Sequence, residues 1–496
     1  MTVTLNTRDD FNLETLRRVA LEGEDVRFSP AALKRMQKAH DTFQKYVDAS
    51  RDIFIYGVTS GGGPDAKNHR SPEEMMKRRR AANPFRSLSF SRDGDYPEYA
   101  IRAAVFAILN QFIEGNTATY PKRAQAIADM LKKPLPRVPN QGVTVPGEIL
   151  ASMTLFRDVQ RFPEAGHQAG SGNGNQFTTG FAGVSAIAQR RRLDIAGMVQ
   201  ALSVEAMNAP LEAYDPALKA LWGDSHEGAA LDALNRWLKG APTKNRRFYQ
   251  APVSWRIIPR VLGQAYRAVA QLEDVARVSL RQISSNPAYA LPDKKHPLGH
   301  TFSSGGYHNA IAPPAMDAVA AAWVDVAALS HRHSVKLHKG EVSLLPDRLL
   351  PEGKDYMTAS STTYLEYVPN GFIEEMRRLA QPSLLSPAEP AASEQDDISA
   401  PGFLAYNTLE KVSVLFDSVL AVEAAVASQA LWVTKRDAPR PLRPFLEAVR
   451  AHFPPVEVGR LLGDDARRLS EAFSAATLSG DMSLGTKPAA GKRKAA

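Results

Sequence analysis

A tyrosine followed by four glycines in seven residues, Tyr56-Gly57-Val58-Thr59-Ser60-Gly61-Gly62-Gly63, is the stretch of this chain best suited to hold a reactive side chain over a ligand. Glycine accepts positive φ and close backbone approach, so such a loop folds tightly with the phenol at its hinge. A phenol ionises near pH 10 in water, and neighbouring positive charge brings it within reach of general base or acid work. The other reading of Tyr56 is an aromatic plug at the loop hinge. The loop is not a dinucleotide fingerprint, because no strand–turn–helix unit with a downstream acid surrounds it. Zero cysteines removes disulfides, thiolate nucleophiles and cysteine-ligated metals together. His331 and His333 are two apart and His333 and His338 five apart, so neither pair shares a helix face. No metal site is expected.

The elements that must position such residues are helical. Apolar residues recur at three- and four-residue steps from Leu409 through Val412, Phe416, Val419, Val422, Val426 and Ala430 to Val433. That is a helix of about thirty residues, about 45 Å long. Asp317 to Leu337, Ile257 to Ile283 and Val184 to Met207 are three more candidates, the first apolar nearly all round and therefore deep in a bundle. Strand-like alternation is scarce, and Pro382 to Pro390 reads as a loop. The expected architecture is mainly α, a long-helix bundle with irregular loops carrying the chemistry. Four blocks are expected: a loop-rich helical region over 1–150 with the Tyr56 loop, a central bundle over 151–440, a helical segment over 441–480, and a disordered basic tail over 481–496.

The length of 496 residues allows two or three average domains or one large helical one. A formal charge of +8 raises the question of nucleic acid, with basic clusters at Lys77–Arg80, Arg190–Arg192 and Lys492–Lys494. Zinc-finger spacing, RNA-binding aromatics and a recognition helix are missing, so no nucleic-acid partner is expected. The first two clusters read as exposed helix faces or ion pairs between subunits. No run of eighteen apolar residues and no basic-then-apolar leader occur, which points to a cytoplasmic protein without a membrane partner.

Several local patterns are similar, in order and approximate spacing, to those of the histidine and aromatic amino acid ammonia-lyases, up to about residue 440. The Tyr56 loop resembles the family's Tyr-Gly-Val-Asn-Thr-Gly-Phe-Gly, and Asn173-Gly174-Asn175-Gln176 its Asn-Gly-Thr-Gln. Ala201–Ala206 looks like the helix that follows. Tyr249–Arg256 resembles Gln-Asp-Pro-Tyr-Ser-Leu-Arg, Ser285-Asn286-Pro287 resembles Asp-Asn-Pro, and Gly305-Gly306-Tyr307-His308 resembles Gly-Asn-Phe-His. Asn370-Gly371-Phe372 and Gln395-Asp396-Asp397 are similar to Ser-Gly-Phe and Gln-Glu-Asp. The resemblance implies a long-helix bundle of the ammonia-lyase (fumarase/aspartase-like) type, a homotetramer, and active sites built from loops of several chains. It implies that Arg256, whose planar fork suits a carboxylate, grips that group of a small-molecule substrate; the alternative is an inter-helical ion pair. Asn173 and Gln250 would donate to an oxyanion or carboxylate, or serve as buried hydrogen-bond partners. His308 would orient a neighbour or cap a loop, and Asp396 stands where the family has Glu.

One departure bears on the chemistry. Family members carry Gly-Ser-Val-Gly-Ala-Ser-Gly-Asp-Leu where this chain reads Gln141-Gly142-Val143-Thr144-Val145-Pro146-Gly147-Glu148-Ile149. The family's Ala-Ser-Gly cyclises into a methylidene-imidazolone, whose methylidene is the serine β-carbon after its hydroxyl leaves. Pro146 has no hydroxyl, and a register shifted by one puts Gly147 there, so the expectation is no methylidene-imidazolone and no other cofactor. The family's second catalytic tyrosine falls at Val253, and its loop phenylalanine at Gly62, which is expected to leave that loop less ordered. Glu148 replaces the family's Asp; it reads either as a buried acid/base carboxylate of raised pKa or as the exposed acid of a Pro-Gly-Glu turn. The function expected is a prosthetic-group-free enzyme acting on a small carboxylate or amino-acid-derived substrate by proton abstraction with elimination, addition or isomerisation. The alternatives are a cofactor-free C–N bond-forming or cyclising enzyme of a biosynthetic pathway, and a non-catalytic ligand-binding relative.

Overall fold

Four long helices carry most of the buried apolar surface: Gln176–Ala206, Ile258–Arg281, Ala312–Leu337 and Gly402–Val433. They are the four read from periodicity, with ends displaced by up to eight residues. The last starts at Gly402 rather than Leu409 because buried Phe403 and Tyr406 continue the same three-residue step. The computed structural model describes residues 2–81, 89–159, 162, 165–170, 173–354, 361–385, 395–457 and 459–485. Among these the strands form two small sheets. Thr2–Leu5 pairs in parallel with Asp25–Phe28, and Ala288–Ala290 antiparallel with His300–Phe302.

The chain forms two compact units that interleave in sequence. The first comprises Met1–Ile187, Leu272–Met316 and Pro382–Asn407, and the second Ala188–Gln271, Asp317–Gln381 and Thr408–Ala496. These boundaries differ from the contiguous blocks 1–150, 151–440 and 441–480, because segments far apart in sequence pack together. The tail expected over 481–496 falls mostly outside the described residues. Its first part is packed, with Leu484 buried and its carbonyl 2.8 Å from His452 Nε2.

In the first unit, the helix Glu98–Ile113 is buried continuously from Ala100 to Ile113. Its Arg102 is buried too, and donates to the carbonyls of Val19, Leu131 and Glu24 at 2.8, 2.9 and 3.0 Å. Those three acceptors offset the desolvation that would otherwise exclude a guanidinium from the interior. Phe43, Tyr46, Val47 and Tyr289 form a cluster that receives Ile55 and Val58, the apolar residues flanking Tyr56. The glycine-rich loop is thereby anchored from below.

Polar rungs cross the helices of the second unit. Arg192 forms a buried bidentate pair with Asp417 at 2.8 and 2.9 Å. Gln200 donates to Glu423 at 2.7 Å, and Glu423 meets His333 at 2.6 Å. Removing one partner of such a buried pair costs about 3–5 kcal/mol, because it strands the other charge. His331 meets the Glu366 carbonyl, His333 meets Glu423, and His338 meets the Ser334 carbonyl, Thr362 and the Glu366 carboxylate. No metal-binding group of His, Asp and Glu occurs among the described residues. The basic runs are likewise engaged, Arg78 with Asp65 and Glu74, and Arg191 with the carbonyls of Thr477 and Leu478. Ala312–Leu337 and Gly402–Val433 have the length and mean hydropathy of a membrane span, yet 61% and 83% of their most apolar windows are buried.

Candidate functional site

The first unit carries an open cleft of about 320 Å³ whose walls are loops. Tyr56 enters it from the glycine-rich loop. Ile55 N donates to Thr59 Oγ1 at 2.7 Å, and Val58 N and Thr59 N return to Ile55 O at 2.8 and 2.9 Å, which closes a tight turn around the tyrosine. The Tyr56 hydroxyl folds back to accept the Gly63 N–H at 3.2 Å. A Cβ on Gly62 would lie 3.2 Å from that hydroxyl, and one on Gly61 only 2.5 Å from Asp65 Oδ2. Gly62, expected to loosen the loop, instead leaves room for the phenol to be held. Arg79 supports the loop from outside by donating to the Gly57 carbonyl.

Pro146 and Ile149 form the adjacent wall. Between them Gly147 and Glu148 both take left-handed backbone, with φ of 62° and 54°. Gly147 is required there: a Cβ would lie 1.7 Å from Asn173 Oδ1. Glu148 matches the buried-carboxylate reading and not the exposed one. It is fully buried, not the exposed acid of a turn, and it does not line the cleft. Its carboxylate accepts Phe177 N at 2.6 Å, Thr178 N at 2.9 Å and Thr178 Oγ1 at 2.5 Å, all from the first turn of the helix Gln176–Ala206. Exposed amide donors and the positive helix end favour a carboxylate at that point. Burial pushes its pKa up, to about 7, while Thr178 and the backbone donors pull it down.

Asn173 faces the cleft, with Oδ1 buried and without a hydrogen-bond donor among the described residues. Its carbonyl accepts Asn286 N at 3.2 Å, and Asn286 Oδ1 accepts Ser304 N at 3.0 Å. Three segments distant in sequence are thereby tied around one opening, and the last brings in Tyr307. Asp396 closes the wall; burial first and the neighbouring Asp397 second raise its pKa. Of the residues singled out in the sequence, the cleft thus unites Tyr56, Asn173 and Asp396. His308 is half-buried beside it, its N–H donating to Gly305 O at 2.9 Å, and is not in its lining. Arg256 and Gln250 belong to the second unit. There Arg256 is half-buried, with Nε donating to Ala251 O at 3.0 Å, while Gln250 and Val253 are exposed. Tyr307 was missed. Its signal in the sequence was a phenol in the pattern otherwise read as Gly-Asn-Phe-His.

A second opening of about 340 Å³ is walled by Asp48, Glu73, Met76, Lys77, Arg80 and His167 with Pro72. Most of these are long charged side chains on exposed helix faces, and none was singled out for chemistry. The smaller cleft carries the convergent polar groups and is the candidate site.

The aromatic amino acid lyase family model matches residues 11–152 and 165–452, most of the chain and every loop of the cleft. The chain belongs to that family. It is 24% identical over 457 residues to histidine ammonia-lyase of Caldanaerobacter subterraneus subsp. tengcongensis, covering 85% of this chain and 87% of that one. Among solved structures it is similar to ergothionase from Treponema denticola, with a TM-score of 0.82 at 17% identity over 96% and 99% of the two chains. Histidine ammonia-lyase from Trypanosoma cruzi superposes with a TM-score of 0.79 at 18% identity over the whole of both chains. The lyase fold is therefore shared.

The residues at the ring-forming position of this lyase-family chain do not fit a methylidene-imidazolone. Pro146 offers no hydroxyl to leave and Gly147 no side chain, and the space a Cβ would need at 147 is taken by Asn173.

Proposed function

We propose that this family member is an enzyme that works without a methylidene-imidazolone, acting on a small carboxylate or amino-acid-derived substrate by proton abstraction coupled to elimination, addition or isomerisation. The observation that carries the reading is the pairing of Pro146 with a cleft that still presents Tyr56 and Asp396. A pocket left without function has no reason to keep a phenol anchored by a backbone donor beside a half-buried carboxylate of raised pKa. Tyr56 transfers the proton, and Asn173 Oδ1 accepts from a substrate N–H or O–H. The protein is read as cytoplasmic.

Intact mass tests the first half of this reading. It should equal that of the encoded chain, with or without the initiator methionine; a deficit of about two waters, with near-ultraviolet absorbance quenched by borohydride, overturns it. Tyr56→Phe tests the second half. It removes only an oxygen, and should lower turnover by about 10²–10⁴ with binding little changed, the usual contribution of a positioned acid or base. Unchanged turnover would move proton transfer to another group.

A further inference from the structure

The phenol absent at Val253 has a counterpart elsewhere. Tyr307 stands half-buried on the loop between His300–Phe302 and Ala312–Leu337, on the wall of the cleft that Tyr56 and Asp396 share. Its loop is pinned on both sides. Asn175 Nδ2 donates to Gly306 O at 3.2 Å, and Asn175 N is itself held by Ser284 Oγ at 3.2 Å. Ser304 N donates to Asn286 Oδ1 at 3.0 Å. A loop pinned in this way sets the Tyr307 phenol on the same cleft as the Tyr56 phenol of a different loop, so the cleft has two separate proton carriers.

We propose that Tyr307 is the general acid of this cleft, acting opposite Tyr56 on substrates whose leaving group departs as an anion, such as hydroxide or an alkoxide. The inference rests on reading the cleft as a site of proton transfer. In the step, ionised Tyr56 takes the carbon-bound proton, and the C–H electron pair becomes the new double bond. The bond to the leaving oxygen breaks with its pair going to oxygen, and Tyr307 gives that oxygen its proton. Water or an alcohol departs neutral, and the proton then returns from Tyr56 to Tyr307 through solvent. A leaving ammonium carries its proton already and needs no such donor; hydroxide does.

The surroundings of Tyr307 suit it to giving a proton. The titratable groups facing Tyr307 are Asp396, Tyr56 and Asp397. Burial, then the charge of Asp396, then Tyr56 and Asp397, hold its pKa above the ordinary phenol value, so it rests protonated. The same carboxylates favour recapture of the proton after it has been given.

The test uses the full-length protein with L-serine and 3-chloro-L-alanine, both of which would eliminate to 2-aminoacrylate and then yield pyruvate. Hydroxide must be protonated to leave, whereas chloride need not. Tyr307→Phe should lower the serine-to-chloroalanine rate ratio by about 10²-fold or more, while Tyr56→Phe should keep that ratio within about threefold of wild type. An unchanged ratio in Tyr307→Phe overturns the proposal. Failure of the wild type on both amino acids would count against the proposed function, and a near-ultraviolet difference titration then decides Tyr307 separately. The phenol lost in Tyr307→Phe should ionise above about 10, the ordinary tyrosine value. Ionisation at or below that value overturns the general-acid role whatever the substrate.

Discussion

Glu148 shows how a residue beside a cleft can serve the fold rather than the chemistry. Its left-handed backbone disfavours any side chain larger than glycine by about 1–2 kcal/mol. The three hydrogen bonds to Phe177 and Thr178 offset that penalty. Burial raises its folded pKa from 4.5 to about 7, so the folded protein holds this proton more tightly than the unfolded chain. The resulting stability is fully present below about pH 4.5 and is lost as pH rises through about 7. The raised value corresponds to at most about 3 kcal/mol, since the helix terminus works against it. Glu148→Gln should flatten that decline in unfolding free energy. It should also be less stable than wild type by about 1–3 kcal/mol at low pH, because one amide oxygen cannot serve both Phe177 N and Thr178 N. Urea titrations across that pH range measure both effects. A decline that survives the substitution would assign it to another group.

Helix against helix, two glycines of Gln176–Ala206 answer differently to the same change. A Cβ on Gly180 would lie 2.7 Å from the backbone C of Ala103 and N of Ala104, in the helix Glu98–Ile113, which cannot swing aside as a side chain can. Gly197 has no such neighbour, its nearest atom being Trp237 Nε1 at 3.9 Å. Alanine is favoured over glycine inside a helix by about 0.8–1.0 kcal/mol. Gly197→Ala should therefore stabilise by up to about 1 kcal/mol. Gly180→Ala should destabilise by about 1–3 kcal/mol, as overpacking outweighs the gain. Denaturant midpoints of the two variants should move in opposite directions; a shared direction would mean that helix propensity, not the crossing, controls Gly180.

At the scale of the molecule, apolar side chains remain exposed on helices that are otherwise core. Leu404 and Val414 on Gly402–Val433 are 54% and 53% exposed, and Val278 on Ile258–Arg281 is 49% exposed. We propose that association into a homotetramer covers such surface, since apolar exposure on long helices marks interaction sites. Light scattering should give about four times the 54.2 kDa chain mass. Paired Leu404→Lys and Val414→Lys substitutions should shift the protein to smaller species, and a wild-type monomer at micromolar concentration would overturn the assembly.

The helical class was legible in the sequence because periodicity is a property of neighbours along the chain. The steps from Leu409 to Val433 needed no partner to be recognised, although the packing of Phe403 and Tyr406 was needed to find where that helix begins. The Tyr56 loop was legible for the same local reason, and so was the loss of a hydroxyl at Pro146, which is a matter of residue type alone. What the sequence left open depends on which side chains meet across space. Glu148 could be an exposed turn acid or a buried carboxylate until the first turn of Gln176–Ala206 came to rest on it. Tyr307 passed as one letter of a weak pattern until hydrogen bonds from Asn175 and to Asn286 brought its loop to the cleft of Tyr56 and Asp396. Burial, donor geometry and the charges facing a phenol arise only when distant segments pack. For that reason the sequence by itself determined the family resemblance and the elements, and the tertiary structure decided which ionisable groups share a site.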